Sequence, residues 1–178
     1  YCDVIVLRHP EIGSSATAAK YVKVPIINAG DGAGEHPTQS LLDLFTIKQE
    51  LGRLDGLKIA MIGDLRYGRT VHSLTKLLAN YDVSLRYVSP DVLRLPLELM
   101  NDLIDKKMDV RETNKVADVI KNADVLYVTR IQKERFTDLA QYEEVKNFFE
   151  ITPELMEQAK EKMVVMHPLP RIGEIHYK

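Results

Sequence analysis

Short runs of apolar and β-branched residues alternate along the chain with longer segments whose apolar positions recur at helical spacing. Two of these runs, LKIAMIGD and MVVMHP, are almost continuously apolar, which is typical of strands buried on both faces of a parallel sheet. The alternation predicts an α/β fold with a doubly wound parallel sheet. Strands are predicted over Val4–Leu7, Val24–Asn28, Leu57–Gly63, Ser84–Val88, Asp109–Arg111, Val125–Thr129 and Met163–His167. Helices are predicted over about Ser14–Tyr21, Pro37–Leu51, Arg69–Asn80, Leu97–Lys106, Lys115–Lys121, Gln141–Phe148 and Pro153–Lys160.

A domain boundary is predicted directly after the helix that starts at Pro37. That helix ends in LGRLDG, and the stretch from Gly52 to Gly56 combines glycine with charged residues. The segment after it forms a complete α/β run, whereas the segment before it resembles the end of another domain. Because the chain begins directly in a strand-like run and stops without a closing helix, we expect it to be part of a longer protein.

The amino-acid composition argues against several classes of protein. The 24 basic and 26 acidic residues give a net charge of −2 with no basic stripe, which argues against a nucleic-acid binder. A single cysteine excludes an internal disulfide framework, and no Cys/His cluster suggests a structural metal. No run is long and apolar enough for a transmembrane helix, and no signal peptide is evident. We therefore expect a soluble, cytoplasmic protein.

Arginine recurs where the predicted strands end. Ligands of open α/β sheets bind at the carboxyl ends of the strands, and four of the five polar strand ends carry arginine. Arginine binds phosphate and carboxylate through a planar fork, so this arrangement favours a multiply anionic ligand. The strand ends are RHP, NAGDGAGEHPTQ, GDLRYGRT, TRIQKER and HPLPR.

One of these segments, GDLRYGRT, nearly matches the phosphate-binding P-loop. The lysine that the P-loop requires is replaced by Arg69, and no strand ends in an acidic metal-binding partner. A loop that presents Arg69 to a carboxylate is the preferred interpretation, and a nucleotide site remains a remote alternative.

A second segment, HPTQ, places His36 and Gln39 on one face of a helix's first turn, where they could hold a polarised carbonyl oxygen. An ordinary helix cap with proline in the first turn explains the same letters equally well. His9, His72 and His176 are interpreted as structural or surface residues.

Taken together and in order, the motifs resemble the catalytic chain of the aspartate carbamoyltransferase (aspartate transcarbamylase) family. They are RHP, GDGAGEHPTQSLLDLFTI, GDLRYGRTVHSL, YVTRIQKERF and VVMHPLPR. The resemblance implies two α/β domains: residues 1–52 would be the last part of the carbamoyl-phosphate domain with a linking helix, and residues 54–178 most of the aspartate domain. It also implies transfer of the carbamoyl group of carbamoyl phosphate to the α-amino group of L-aspartate, without metal, cofactor or covalent intermediate.

The resemblance further implies a role for individual residues on the carbamoyl-phosphate side. Arg8 and His36 match the catalytic groups that hold the carbamoyl oxygen and help to bind phosphate, and Gln39 matches the residue that contacts the carbamoyl amide. Backbone carbonyls of Pro168 and Leu169 match those that orient the amino groups, and the bond from Leu169 to the next proline would be cis.

On the aspartate side, Arg69 and Arg130 match the two arginines that clamp the carboxylates, with Gln132 assisting. Ornithine carbamoyltransferase shares HPTQ and is the nearest rival. Its substrate has a cationic side chain, which two arginines would repel, and its last loop reads H-C-L-P where this chain has Pro168. The comparison favours aspartate.

The resemblance is incomplete. The family's N-terminal phosphate loop, S-T-R-T-R, its Ser/Lys loop that reaches into a neighbouring subunit, and its C-terminal helices have no counterpart here. The family pattern implies a homotrimer of the full-length protein and leaves open whether a regulatory chain also binds. A non-catalytic binding or interaction fragment of the same fold therefore stays open as the alternative.

Overall fold

The computed structural model of the chain describes residues 1–176, and within that range it contains seven strands and seven α-helices. The strands are β1 Ile5–His9, β2 Ile26–Asp31, β3 Leu57–Ile62, β4 Val83–Val88, β5 Asp109–Thr113, β6 Val125–Val128 and β7 Val164–Met166. The helices are α1 Ser14–Ala19, α2 Pro37–Leu51, α3 Arg69–Leu78, α4 Leu97–Asp105, α5 Ala117–Ile120, α6 Leu139–Val145 and α7 Pro153–Met156. Short 3-10 turns occupy Asp91–Leu93 and Lys133–Arg135.

The strands form two separate parallel sheets. The pair β1–β2 makes the first sheet, and the second has the order β5-β4-β3-β6-β7 with every described pairing parallel. Helix α2 follows the first sheet in sequence and is capped by Gly52, whose φ of 71° and N–H bond to the Lys48 carbonyl at 2.9 Å close the helix. The predicted doubly wound α/β fold is confirmed.

The strand order creates a switch point between β3 and β6. The chain adds β4 and β5 on one side of β3 and then returns to add β6 and β7 on the other, so the connections after β3 and β6 diverge and leave a crevice. Gly63 lies at this point with φ 125°, and a Cβ there would stand 2.1 Å from the Thr129 carbonyl oxygen. Glycine thus lets the ends of β3 and β6 approach closely.

Apolar side chains cover both faces of the larger sheet. Along β3, Ile59 and Met61 point to the layer formed with α2, α3 and α4, whereas Ala60 and Ile62 point to the layer formed with α5, α6 and α7. All four residues are 0% exposed, and burial of each Ile or Met contributes about 1.5–3 kcal/mol. This two-sided burial explains why the strand sequences are nearly continuously apolar.

The first sheet and α2 are less well covered than the second sheet. Large apolar side chains remain exposed on their outer surfaces, notably those of Val6, Ile27, Leu41, Leu42 and Phe45. None of the helices in residues 1–176 is both long and apolar enough to span a membrane.

All seven strands and all seven helices were predicted at their observed places, and only their ends differ. Helix α7 begins as predicted, because the Thr152 hydroxyl accepts the Leu155 N–H at 3.3 Å, but it ends at Met156 and not at Lys160. Helix α5 is a single turn, and the two 3-10 turns were not predicted. The last residues of the predicted second domain, 177–178, lie outside the described part of the chain.

Candidate active site

A polar cavity of about 390 Å³ opens at the carboxyl ends of the strands, between the two sheets. The structure brings together around it all eight residues that the sequence predicts for the site: Arg8, His36, Gln39, Arg69, Arg130, Gln132, Pro168 and Leu169. Segments after β2, β3, β6 and β7 contribute to the lining, so residues far apart in sequence meet at one place. The roles assigned to individual residues stay predictions.

The loop that leads into α2 is organised by a buried carboxylate. Asp31 accepts the N–H of Glu35 at 2.6 Å and the N–H of Gly13 at 2.8 Å, while Gly32 donates its N–H to the His9 carbonyl at 2.9 Å. Gly32 has φ 50°, a conformation in which a side chain is rarely found. The loop is thereby fixed so that His36 stands at the N-terminus of α2.

His36 lies beside two cations in this cavity. Burial lowers the pKa of the His36 imidazole, and the positive charges of Arg69 and Arg8 lower it further. The ring is therefore neutral at neutral pH. Nδ1 lies 3.3 Å from the Thr38 hydroxyl. We assign Nδ1 as the acceptor of that hydroxyl, which puts the ring proton on Nε2.

Arg69 is held against the loop of the first sheet. It is the first residue of α3, and its Nη1 donates to the Gly32 carbonyl at 3.0 Å. The guanidinium lies over Gly30, where a Cβ would come within 3.0 Å of Arg69 Cζ. Burial lowers the pKa of Arg69, as do the neighbouring charges of Arg8 and Arg135, so several cations crowd this side of the cavity.

A second group of cations follows β6. Arg130 pairs with Glu134 at 2.5 Å, one helical turn further along the chain. Gln132 accepts the Arg135 Nε–H at 3.2 Å, and Arg135 Nη2 donates to the Gly32 carbonyl, also at 3.2 Å. The 3-10 turn thus connects the second sheet to the same loop that Arg69 contacts.

A hydrogen-bonded pair of helices joins the two halves near His36. The Ser73 hydroxyl on α3 accepts the His36 N–H at 2.8 Å and donates to Glu35, which also pairs with Lys76. These contacts fix the start of α2 against α3, so the positions of His36 and Arg69 are coupled through backbone and side-chain bonds.

The last loop is fixed by a buried histidine. His167 Nδ1 accepts the Leu169 N–H at 2.8 Å, and its Nε2 lies 2.6 Å from the Glu174 carboxylate. Glu174 also accepts the N–H groups of Ile172 and Gly173. The Leu169–Pro170 peptide is cis, as the resemblance implied, and Leu169 has φ 55°.

Sequence reasoning assigned no site role to nine further residues that line the cavity: Asp64, Tyr67, Gly68, Thr70, Thr129, Glu134, Arg135, His167 and Pro170. Arg135 and His167 stand in the motifs TRIQKER and HPLPR, so their position at strand ends was a usable signal. Asp64 follows β3, and its carboxyl accepts the Tyr67 N–H at 2.9 Å while its other oxygen has no partner. Burial raises the pKa of Asp64 to about 6.

The balance of charge in the cavity is positive. Four arginine side chains line it, against the two carboxylates of Asp64 and Glu134. Several forked cations on rigid strand ends suit a ligand with more than one anionic group. Within residues 1–176, no group of three or more His, Cys, Asp or Glu side chains is arranged to hold a metal ion.

Comparison with known proteins matches both parts of the chain. The Asp/Orn binding domain of aspartate/ornithine carbamoyltransferases matches residues 55–177, and the carbamoyl-P binding domain matches residues 1–49. The chain belongs to the aspartate/ornithine carbamoyltransferase family. Among its relatives, the aspartate carbamoyltransferase catalytic subunit of Thermococcus onnurineus is 51% identical over 176 residues, which cover 99% of this chain and 57% of the relative.

Other relatives match the chain over nearly its whole length. The multifunctional protein pyr1-3 of Dictyostelium discoideum is 53% identical over 98% of this chain, which corresponds to 8% of that protein. Aspartate transcarbamoylase from Trypanosoma cruzi, in complex with carbamoyl phosphate and aspartate, superposes with a TM-score of 0.92 at 46% identity, covering 99% of this chain and 58% of the other. The same enzyme is also known in complex with N-(phosphonacetyl)-L-aspartic acid. The chain thus spans little more than half the length of the catalytic chains that it matches.

Proposed function

We propose that the whole protein containing this chain transfers the carbamoyl group of carbamoyl phosphate to the α-amino group of L-aspartate, giving N-carbamoyl-L-aspartate and phosphate, an early step of pyrimidine synthesis. The observation that carries the proposal is the cavity between the two sheets, where four arginines and a neutral histidine converge. The relative from T. cruzi binds both of these substrates together.

Residues on the first sheet and in the loop that follows it would act on the carbamoyl group. Attack by the aspartate amine on the carbamoyl carbon forms a C–N bond and places negative charge on the carbonyl oxygen. The His36 Nε2–H and the Arg8 guanidinium would stabilise that charge, and preorganised donors of this kind are worth a few kcal/mol each. The bond from carbon to the phosphate oxygen then breaks, phosphate leaves with the electron pair, and the proton of the amine passes to the departing phosphate.

A neutral His36 suits this role better than a charged one. Its lowered pKa keeps the ring in the neutral form, whose Nε2–H donates a hydrogen bond and is too weakly acidic to be transferred, while the nearby arginines supply the positive charge. Gln39 on the same helix turn would contact the carbamoyl amino group, and the carbonyls of Pro168 and Leu169 would orient the two amino groups. Much of the acceleration would come from holding both substrates in attack geometry.

Residues that follow strands of the second sheet would bind aspartate. Arg69 and Arg130 would bind the two carboxylates through forked contacts, with Gln132 assisting. A bound ornithine would bring a cation into a cavity that four arginines already line, and like charges at such distances disfavour binding. The charge of the cavity therefore favours aspartate as the substrate.

The same proposal extends to organisation. We assign residues 1–52 to the carbamoyl-phosphate domain with its linking helix, and residues from 54 onward to the aspartate domain; the switch of sheets on either side of α2 supports this division. A homotrimer, association with a regulatory chain and a cytoplasmic location are further parts of the proposal, drawn from the family resemblance.

The test is product formation by the whole protein from carbamoyl phosphate, with L-aspartate and L-ornithine compared as acceptors. We expect N-carbamoyl-L-aspartate with aspartate and no citrulline with ornithine. Carbamoylation of ornithine, or no transfer to either acceptor by the folded protein, would refute the proposal.

A further inference from the structure

A buried carboxylate on α2 contacts one of the residues that line the cavity. Asp43 is 3% exposed, and its Oδ1 accepts a hydrogen bond from Gln39 Nε2 at 2.9 Å. Gln39 lies four residues earlier on α2, so the two side chains share one face of the helix. This hydrogen bond therefore holds the Gln39 side chain in place where it lines the cavity.

The second oxygen of Asp43 is held from the other half of the molecule. Asp43 Oδ2 accepts a hydrogen bond from the Tyr127 hydroxyl at 2.8 Å, and Tyr127 on β6 is 0% exposed. Tyr127 precedes Arg130 by three residues, so the bond joins α2 to the strand that carries part of the cation cluster. Burial raises the pKa of Asp43, and the two hydrogen bonds oppose that rise.

The chemistry of the three groups determines which way the Gln39 amide points. A carboxylate only accepts hydrogen bonds, so Asp43 selects the amino end of the Gln39 carboxamide. The carbonyl oxygen, Oε1, is then left to accept from a donor in the cavity. With the reverse orientation, two acceptors would face each other in a buried place, which is costly.

We propose that Asp43 and Tyr127 are positioning residues that orient the Gln39 carboxamide, so that its oxygen accepts an N–H of the carbamoyl group. The inference rests on the proposed function, since it takes carbamoyl phosphate as the ligand. It adds a residue pair that touches no substrate but selects an amide-bearing ligand over a plain phosphate.

The test compares Asp43→Asn with the unaltered whole protein. Asparagine has the same shape but can donate as well as accept, so it no longer dictates the orientation of Gln39. Calorimetry would measure the affinities for carbamoyl phosphate and for inorganic phosphate, which lacks the amide. We expect carbamoyl phosphate to bind about five- to tenfold more weakly and phosphate to bind unchanged or more tightly.

A control substitution elsewhere on α2, and a test in protein that already carries Gln39→Ala, distinguish a positioning role from a general loss of structure. Thr46→Val removes one hydrogen bond within α2, from the Thr46 hydroxyl to the Leu42 carbonyl at 2.9 Å, and should change neither affinity. In a Gln39→Ala background, Asp43→Asn should cost less than about twofold in carbamoyl-phosphate affinity, because nothing remains to be oriented. Tyr127→Phe should show a smaller loss, again for carbamoyl phosphate alone.

The outcomes distinguish the two levels of the proposal. Equal losses for both ligands, or the same loss of carbamoyl-phosphate affinity with and without Gln39, would overturn the positioning role and leave the proposed function intact. A Tyr127→Phe variant with a lower melting temperature but unaltered ligand preference would remove Tyr127 from the pair. If the folded, unaltered protein does not bind carbamoyl phosphate, the proposed function fails and the positioning role with it.

Discussion

Asp64 provides a quantitative test because its carboxyl group is completely buried at the edge of the cavity. Burial raises its pKa from the usual 3.8 to about 6, although the Tyr67 N–H and the Arg135 charge act in the opposite direction. In Asp64→Asn the amide oxygen can still accept the Tyr67 N–H, but the side chain carries no charge. We therefore expect this substitution to stabilise the folded protein at neutral pH.

The magnitude follows from the pKa. A rise from 3.8 to about 6, at 1.36 kcal/mol per pH unit, corresponds to about 3 kcal/mol of cost for the ionised form. Well below pH 3.8 the carboxyl is protonated in both the folded and the unfolded state, so it costs nothing. Between about pH 4 and 6 the folded state retains a proton that the unfolded state has lost, so the stability of the unaltered protein falls as the pH rises. Above about pH 7 the cost is complete.

Equilibrium unfolding in urea over this pH range would measure the effect. The free energy of unfolding of Asp64→Asn should exceed that of the unaltered protein by less than about 1 kcal/mol near pH 4 and by about 3 kcal/mol near pH 7.5. Asp102→Asn is the matched control, because Asp102 is exposed and its charge stays in water. A difference that does not vary with pH, or a destabilised Asp64→Asn variant at pH 7.5, would refute the reasoning.

Three further experiments, the last with a matched control variant, test the site and the fold. Arg130→Ala should raise the KM for aspartate at least about tenfold while carbamoyl-phosphate affinity changes less than about twofold; equal losses in steady-state and binding assays would contradict its role. His36→Ala should lower kcat about a hundredfold with little change in aspartate affinity, and an unchanged kcat would exclude the oxyanion role. Gly63→Ala should lower the free energy of unfolding in urea by at least about 3 kcal/mol, because its Cβ would meet the Thr129 carbonyl. Gly52→Ala, with open space around it, should lower it by only about 1 kcal/mol. Similar losses for the two variants would contradict the close approach of β3 and β6.

The fold was predictable because its strands are buried on both faces. LKIAMI is apolar apart from Lys58, and a short, continuously apolar run that ends in glycine is typical of a central strand of a parallel sheet. Helix ends were predictable only where a local signal exists, such as the cap at Thr152. The early end of α7 and the single turn of α5 depend on packing against the rest of the chain, which no local pattern records.

The part of the candidate site that lies at the ends of strands could be predicted from the sequence. Arg69 follows a strand and carries the charge that an anionic ligand needs, so its position and residue type were a usable signal. The segment HPTQ alone fitted an ordinary helix cap equally well, and His36 was assigned through the family resemblance. Asp43 and Tyr127 could not be predicted, because they lie 84 positions apart and their meeting depends on how α2 packs against β6. The altered pKa of Asp64 likewise depends on burial, which is a property of the folded chain.

The most direct test of the carbamoyl-transfer proposal is calorimetric binding of N-(phosphonacetyl)-L-aspartate, which joins an anion like phosphate to the two carboxylates of aspartate. The whole protein should bind one molecule per copy of this chain, and Arg69→Ala should weaken that binding at least about a hundredfold, since a forked contact to a carboxylate is lost. No binding by the folded protein, or equal binding by Arg69→Ala, would contradict the proposal that this cavity holds both substrates.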